Sequence, residues 1–252
     1  MAKEKKEKVK KEDQVGKIDK VEIKSKTDKI IKRDIHIRVL KIGLLVVSIA
    51  LIIMYFLLNM YYSSGAFTVV MDQEFARKSG LIMYENLKIK EVRNILEAPR
   101  PEIMDNISIN WLPQNINDES DGSHNGDNHI AYTFYIENRG VVTHYWYTIV
   151  IDDVIKDVDE AVRIWLYHNG EPTLYAKMGK NGQPEKDTIP FFSNEYVMME
   201  KRESIKPGEI DKFTVVIWVE GDDPDCLDNL IGGEMKMHME ITEERIPDKK
   251  NR

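Results

Sequence analysis

The chain has 252 residues, a formal net charge of −7 and a single cysteine. One cysteine excludes an intramolecular disulfide, so a folded domain must be stabilised by its core. The net charge hides an asymmetry, because residues 1–41 hold 15 basic and 8 acidic residues whereas residues 63–252 hold 21 basic and 35 acidic residues. The basic part has no nucleic-acid-binding motif and no interleaved aromatic residues, so we expect no nucleic acid as a partner.

Residues 1–41 alternate lysine with glutamate and contain no aromatic residue. Such a segment cannot bury enough apolar surface to offset the entropy lost on ordering, which predicts a largely disordered tail. Its basic cluster from Lys29 to Lys41 predicts contact with anionic lipid headgroups.

Residues 42–62 are a run of 21 uncharged residues. A helix rises 1.5 Å per residue, so the run can cross a hydrocarbon core of about 30 Å. Lys41 at one end and Tyr61 and Tyr62 at the other are predicted membrane anchors. The sequence therefore predicts a single transmembrane helix.

Flanking charge sets the expected orientation of this helix. Seven basic residues lie in the 20 residues before it, and two lie in the 20 residues after it. The positive-inside rule places the N-terminus in the cytoplasm and the C-terminal part outside the cell membrane. The basic region is longer than a usual signal-peptide n-region, so we interpret the run as an uncleaved signal-anchor. Cleavage is the alternative, because Ser64 and Ala66 form a small-x-small site.

Residues 80–246 consist of short strand patterns separated by turn signals. The stretch "HIAYTFYIEN" alternates with period two, and "VRIWLYHNGEPTLYA", "KFTVVIWVE" and "EMKMHMEIT" follow further along the chain. Eight or nine such strands without alternating helices predict a mainly β protein, an antiparallel β-sandwich of the Ig-like or jelly-roll-like kind. Residues 63–79 are predicted to be a juxtamembrane stalk, with a short helix as the alternative for residues 67–79. Residues 115–129 are predicted to be a long exposed loop, and residues 247–252 a polar C-terminal tail.

The stretch "WVEGDDPDC", residues 218–226, lies between the last two predicted strands and predicts a structural corner. Gly221 can take a positive φ, and Pro224 ends strand pairing because it lacks an N–H. Asp225 is expected to cap a short helix that ends at Gly232 or Gly233, with Cys226 as a small buried hydrophobe in its first turn. A reactive or intermolecular thiol is the alternative for Cys226.

The same stretch leaves a metal site open. Asp222, Asp223 and Asp225 offer three carboxylates on one turn, which are suitable hard ligands for Ca²⁺. No other cofactor is expected.

Catalytic motifs are missing from the sequence. It contains no G-x-S-x-G, H-E-x-x-H, P-loop or G-x-G-x-x-G pattern, and acidic neighbours would raise the pKa of Cys226 instead of activating it. We therefore predict no catalytic or cofactor-binding residues and no enzyme activity.

Three pieces of the outer part carry a family resemblance: "IENRG" at residues 136–140, "KPGE" at residues 206–209, and "WVEGDDPDC" followed by "GGEMKM". Together they resemble the exported β-sandwich proteins of Gram-positive bacteria, the camelysin-like and TasA-like biofilm-fibre group. The resemblance implies an extracytoplasmic sandwich that serves as a surface or matrix component. The long basic tail departs from that group, and its zinc motif is missing here, so no protease activity is carried over.

These observations favour a single-pass membrane protein that presents a β-sandwich for cell-surface or envelope interaction, with a protein partner or self-association outside. A transmembrane sensor or regulatory subunit with an outer ligand-binding sandwich is the alternative, and an extracytoplasmic hydrolase is a third. A concave pocket with convergent polar groups would favour ligand binding or catalysis, whereas an open edge strand would favour assembly by strand addition.

Overall fold

The computed structural model describes residues 40–57, 67–99, 101, 103–119 and 121–244. Several predicted features lie outside these residues: the tail up to residue 39 with most of its lipid-binding cluster, the anchors Tyr61 and Tyr62, and the polar segment 247–252. The described residues form an apolar helix and a β domain, which belong to separate compact units.

Helix α1, Leu40–Leu57, is 18 residues long and exposed along its whole length. At 1.5 Å per residue it measures about 27 Å, close to the thickness of a hydrocarbon core. Lys41 lies in its first turn, and the Ser48 hydroxyl donates to the Leu44 carbonyl oxygen at 2.9 Å. Within the described residues, it is the one helix long and apolar enough to span a membrane.

The described part of the β domain contains twelve strands, one further α-helix and three 3₁₀ helices, Ile109–Trp111, Val158–Glu160 and Asp228–Leu230. The elements are, in chain order, β1 (Phe67–Met71), α2 (Gln73–Ser79), β2 (Leu81–Tyr84), β3 (Ile95–Ala98), β4 (Gly122–Ser123), β5 (Ile130–Asn138), β6 (Thr143–Ile155), β7 (Val162–His168), β8 (Glu171–Ala176), β9 (Ile189–Pro190), β10 (Tyr196–Ile205), β11 (Ile210–Val219) and β12 (Glu234–Thr242).

The strands form two sheets, so the predicted mainly β, sandwich-like fold is confirmed. Sheet 1 has the order β10-β6-β12-β1-β3, and sheet 2 has the order β2-β5-β11-β7-β8-β9 with β4 also paired to β5. Most neighbours are antiparallel, but β1 runs parallel to β12 and β8 runs parallel to β9. Both sheets are therefore mixed, with one parallel pair in each that the antiparallel prediction did not include.

The predicted stalk at residues 63–79 is wrong for its described part, where a strand precedes the short helix that was the alternative. Strand β1 is an inner strand of sheet 1, and its side chains Phe67, Val69 and Met71 are buried. Its period-two alternation is that of a half-buried strand, and burial of these three side chains stabilises it between β12 and β3. The short helix α2 follows at once, capped by the Asp72 carboxylate, which accepts from the Phe75 amide at 2.7 Å.

Side chains from both sheets form the main core. Phe134 of β5 stacks on Phe213 of β11 with 5.2 Å between ring centroids, and Tyr147 of β6 meets Phe213 edge to face at the same distance. Strand β5 is buried on both faces, because a second cluster covers the outer face of sheet 2. In that cluster, side chains of the segment 107–116 pack on Ala131, Val216 and Trp218.

The predicted exposed loop at residues 115–129 is partly ordered. Ile116 is buried in the outer cluster, and Gly122 and Ser123 form β4 against β5. The His124 ring lies 3.0 Å from the Ile116 carbonyl oxygen and 3.1 Å from that of Gly122. Local hydrogen bonds therefore hold this segment on sheet 2 even though its composition is polar.

Candidate functional site

The stretch 218–226 lies between β11 and β12, and Glu220 organises it. The Glu220 carboxylate accepts hydrogen bonds from the Trp218 indole at 3.0 Å, the Ile109 amide at 3.0 Å and the Asp222 amide at 3.1 Å. Glu220 is 7% exposed, so these three donors satisfy a buried charge. Its backbone bridges to Ile107, which ties the corner to the outer cluster.

A buried ion pair holds the corner on sheet 2. Arg163 of β7 donates from Nη2 to the Asp223 carboxylate, and its side chain is 5% exposed while that of Asp223 is fully buried. Asp223 also accepts from the Asp225 amide at 2.7 Å. Two buried charges compensate each other only with such geometry and additional hydrogen bonds, so this pair specifies where the corner sits.

Several details of the predicted corner are corrected. The helical turn is a 3₁₀ helix at Asp228–Leu230, preceded by Leu227, so Asp225 caps no helix and instead accepts from the Lys180 amide at 2.9 Å. Cys226 lies before this helix and is half-buried, where burial and the Asp223 charge raise the pKa of its thiol.

Gly221 has no positive φ. A Cβ there would lie 2.9 Å from Asn106 Nδ2, so the glycine permits a close approach of the segment around Asn106, whereas Gly232 supplies the positive φ of 73°. Pro224 is exposed in the turn between β11 and β12.

The three metal-ligand candidates do not converge. Asp222 accepts from the Ser108 hydroxyl at 2.6 Å on one side of the turn. Asp223 and Asp225 instead face Glu185, with one carboxylate oxygen from each of the three residues within 4.8 Å of the others. Arg163 lies 3.6 Å from Glu185 and already supplies a cation to this group. A Ca²⁺ ion bound here would therefore have to compete with the Arg163 guanidinium for the same carboxylates.

A cleft between the two sheets brings together polar side chains that the sequence analysis did not single out. It has a volume of about 370 Å³ and opens near the C-terminal half of β10 and the turn between β7 and β8. Its lining residues are Tyr147, Leu166, His168, Asn169, Glu171, Thr173, Glu200 and Arg202.

Glu200 is one of two exposed carboxylates that line this cleft, and two buried tyrosines orient it. Tyr147 donates to Glu200 Oε2 at 2.7 Å, and Tyr175 donates to Oε1 at 2.8 Å. Burial and the Glu200 carboxylate both raise the pKa of the two phenols. Both hydroxyls therefore stay protonated, act as hydrogen-bond donors and hold the carboxylate in one orientation.

Asp211 is the buried carboxylate behind the cleft, with 1% of its surface exposed. Tyr145 donates to it at 2.6 Å, Asn169 at 2.8 Å and Arg202 Nε at 3.1 Å. Burial raises the pKa of Asp211, but these donors and the nearby His168 outweigh burial and hold that pKa well below its ordinary value. The charge of Arg202 is thus engaged by Asp211 and, at 3.5 Å, by Glu209.

His168 connects the two carboxylates. Its ring stacks on Phe213 with 4.5 Å between centroids and an interplanar angle of 4°. Nδ1 lies 3.3 Å from the Tyr147 hydroxyl, and the buried Nε2 has no hydrogen bond and lies 3.8 Å from Asp211 Oδ1. The turn Asn169-Gly170, with φ of 53° and 88°, fixes the end of β7 and so the position of this ring.

Strand periodicity could have revealed part of the cleft. In "YVMMEKRESI" of β10, Glu200 and Arg202 share a face with the buried Met198, so two charged residues point inward. Inward-pointing charges on a strand indicate either a protected edge or a site. Nothing in the local pattern indicates their partners on β6, β7, β8 and β11.

Comparisons with known proteins add little to this geometry. No family model matches the chain, and no curated protein matches it. Two crystal structures of β-glucosidase from Kluyveromyces marxianus are similar to it, one in complex with glucose and one labelled with selenomethionine. The first has a TM-score of 0.23 at 10% identity and the second has 0.24 at 11% identity. The alignments cover 68% of this chain but only 16% of the glucosidases, and at these TM-scores the likeness carries no argument about fold or activity.

Proposed function

We propose that the chain is a single-pass membrane protein whose β-sandwich is an extracytoplasmic interaction module. The length and exposure of α1 and the charge asymmetry around the uncharged run support this arrangement. The N-terminus is then cytoplasmic and the sandwich faces the cell surface or envelope.

Protease added to intact cells tests the topology. Residues 63–252 should be degraded while a tag at residue 1 survives, and permeabilised cells serve as the control in which the tag is also lost. A protected sandwich with an exposed tag would reverse the orientation.

The edge strands of the two sheets do not favour binding of a partner by strand addition. Strand β10 is the longest edge strand described, and it carries the inward-pointing Glu200 and Arg202 together with two register breaks. The other outermost strands β2, β3 and β9 have four, four and two residues. Short, charged or irregular edges oppose pairing with another chain.

The lining of the cleft supports binding of a partner's side chain as the mode of interaction. Glu171 and Glu200 line it, whereas the charge of its cation Arg202 is engaged by Asp211 and Glu209. The lining therefore favours a positively charged hydrogen-bond donor. We infer that the cleft accepts a basic group of the partner, such as a lysine side chain, against the pre-oriented Glu200 carboxylate.

Nα-acetyl-lysine amide is a direct probe of this site. We expect it to bind in the cleft of the full-length protein in nanodiscs. An NMR titration that follows the signals of the ligand measures the affinity. Glu200→Gln keeps the size of the side chain but removes its charge, so it should weaken binding at least tenfold.

The matched control is Glu203→Gln on the same strand. Glu203 is 77% exposed and pairs with Lys201 on the outer face, so its loss should leave the affinity unchanged. Equal weakening in both variants would mean that only the overall acidity attracts the probe, and no binding to the wild type would refute the site.

A transmembrane sensor would use the same cleft, and the two functions differ in what binding does. In a sensor, binding in the cleft must change the conformation or the interactions of the cytoplasmic tail. Protease sensitivity of residues 1–41 with and without the probe distinguishes the two, since an interaction module predicts no difference.

A further inference from the structure

A second cavity lies at the opposite end of the sandwich from the turn between β7 and β8. Its volume is about 270 Å³, and it opens where β5, β7 and β12 begin and β11 ends. An apolar cavity of about 150 Å³ is enough to hold benzene in an engineered protein. This one is larger and is open at the surface.

Apolar side chains from both sheets line this cavity. Sheet 2 contributes Ile130, Val162 and Ile217, sheet 1 contributes Met235 and Met237, and Met104 also lines the cavity. Three of the six are methionines, whose unbranched side chains adapt to irregular occupants. The lining is therefore suited to a flexible hydrocarbon.

The mouth combines exposed apolar side chains with a cation. Ile103, on the rim, is 80% exposed, and Ile231, next to the lining residue Gly232, is 71% exposed. Lys156 Nζ donates to the Ile231 carbonyl oxygen at 2.7 Å and lies 3.3 Å from the Cβ position of Gly232. Glu234 also lines the cavity, so the mouth offers both signs of charge beside an apolar interior.

Chain connectivity indicates which hydrocarbon is available. Phe67, the first residue of β1, pairs with Met237 of the cavity wall, so the chain enters the sandwich at this end. Nine residues, 58–66, separate Phe67 from the end of α1 at Leu57. The sandwich is therefore connected through its cavity end to the segment proposed to span the membrane.

We propose that this cavity holds an acyl chain of a membrane phospholipid, with Lys156 contacting the lipid phosphate at the mouth. The inference rests on the proposed membrane span. The apolar interior removes the chain from water, and an ammonium beside a phosphate is a favourable charged contact.

Photo-crosslinking tests the proposal with the full-length protein in phosphatidylcholine vesicles. A small fraction of the lipid carries a diazirine in its acyl chain, and adducts are mapped by mass spectrometry after illumination. We expect adducts in α1 and in the peptide that contains Met235 and Met237. Val158 is a buried lining residue, so Val158→Trp fills part of the cavity with an indole. It should lower the Met235–Met237 adducts at least tenfold and leave those in α1 unchanged.

Val142→Trp is the matched control, because Val142 is 60% exposed in the turn after β5, away from the cavity. If Val158→Trp does not fold, judged by circular dichroism, Met235→Trp replaces it. Adducts in α1 without any at Met235–Met237, or adducts confined to Ile103 and Ile231 that Val158→Trp does not change, would overturn the cavity assignment. Absence of adducts in α1 would refute the membrane span itself and the lipid proposal with it.

Discussion

Replacing Arg163 with methionine should lower the free energy of unfolding by about 3–5 kcal/mol, the usual cost of leaving a buried charge without its partner. The Arg163 side chain is 5% exposed and that of Asp223 is fully buried, so water cannot replace the lost guanidinium. Glu185, whose pKa is already raised by burial and by the Asp223 charge, would lose the same cation. Chemical denaturation of the purified protein measures the change.

The control for this variant is Arg93→Met. Arg93 pairs with Glu91 at 2.9 Å, but both side chains are at least half exposed, so the loss should stay below about 1 kcal/mol. The double variant Arg163→Met, Asp223→Asn should recover part of the stability, because it removes the uncompensated carboxylate. A loss for Arg163→Met no larger than that for Arg93→Met would show that the corner does not depend on the buried pair.

Replacing Asp211 with asparagine should cost about 2–3 kcal/mol, because hydrogen bonds to a charged group are worth about 1.5–3 kcal/mol each and the amide retains only some of them. Arg202 would lose its buried counter-ion, and its partially exposed side chain would be rehydrated. The effect should be confined to the cleft end of the sandwich, which hydrogen exchange of β10 and β11 amides would show.

Asp211 also predicts a pH dependence. Its pKa is lowered in the folded state, so the stabilisation it provides is complete above the unfolded value of about 3.9 and is lost as pH falls below it. Stability of the wild type should therefore decrease below about pH 4 more steeply than that of Asp211→Asn. The exposed control Glu203→Gln should keep the wild-type slope, and an unchanged slope in Asp211→Asn would contradict the assignment.

Local patterns in the sequence determined the fold class and most of its strands. The uncharged run predicted α1, and period-two alternation predicted β5, β11 and β12, because one face of each strand must be buried whatever its neighbours are. The quoted stretch "VRIWLYHNGEPTLYA" contains the pair Asn169-Gly170, which suits the hairpin of β7 and β8 because few residues other than glycine and asparagine adopt positive φ readily.

Only the tertiary structure decided which strands pair and which side chains are in contact. The pattern of β1 is five residues long and is separated from the uncharged run by four residues, so nothing local distinguishes a stalk from an inner strand until it pairs with β12. Arg163 and Asp223 are 60 residues apart, and Tyr145 and Asp211 are 66 residues apart. Both contacts arise from strand order and sheet stacking, which long-range packing sets. Long-range packing also decides that Asp223 pairs with Arg163 and that Asp222 accepts from Ser108. The two cavities likewise form only where side chains of the two sheets face each other.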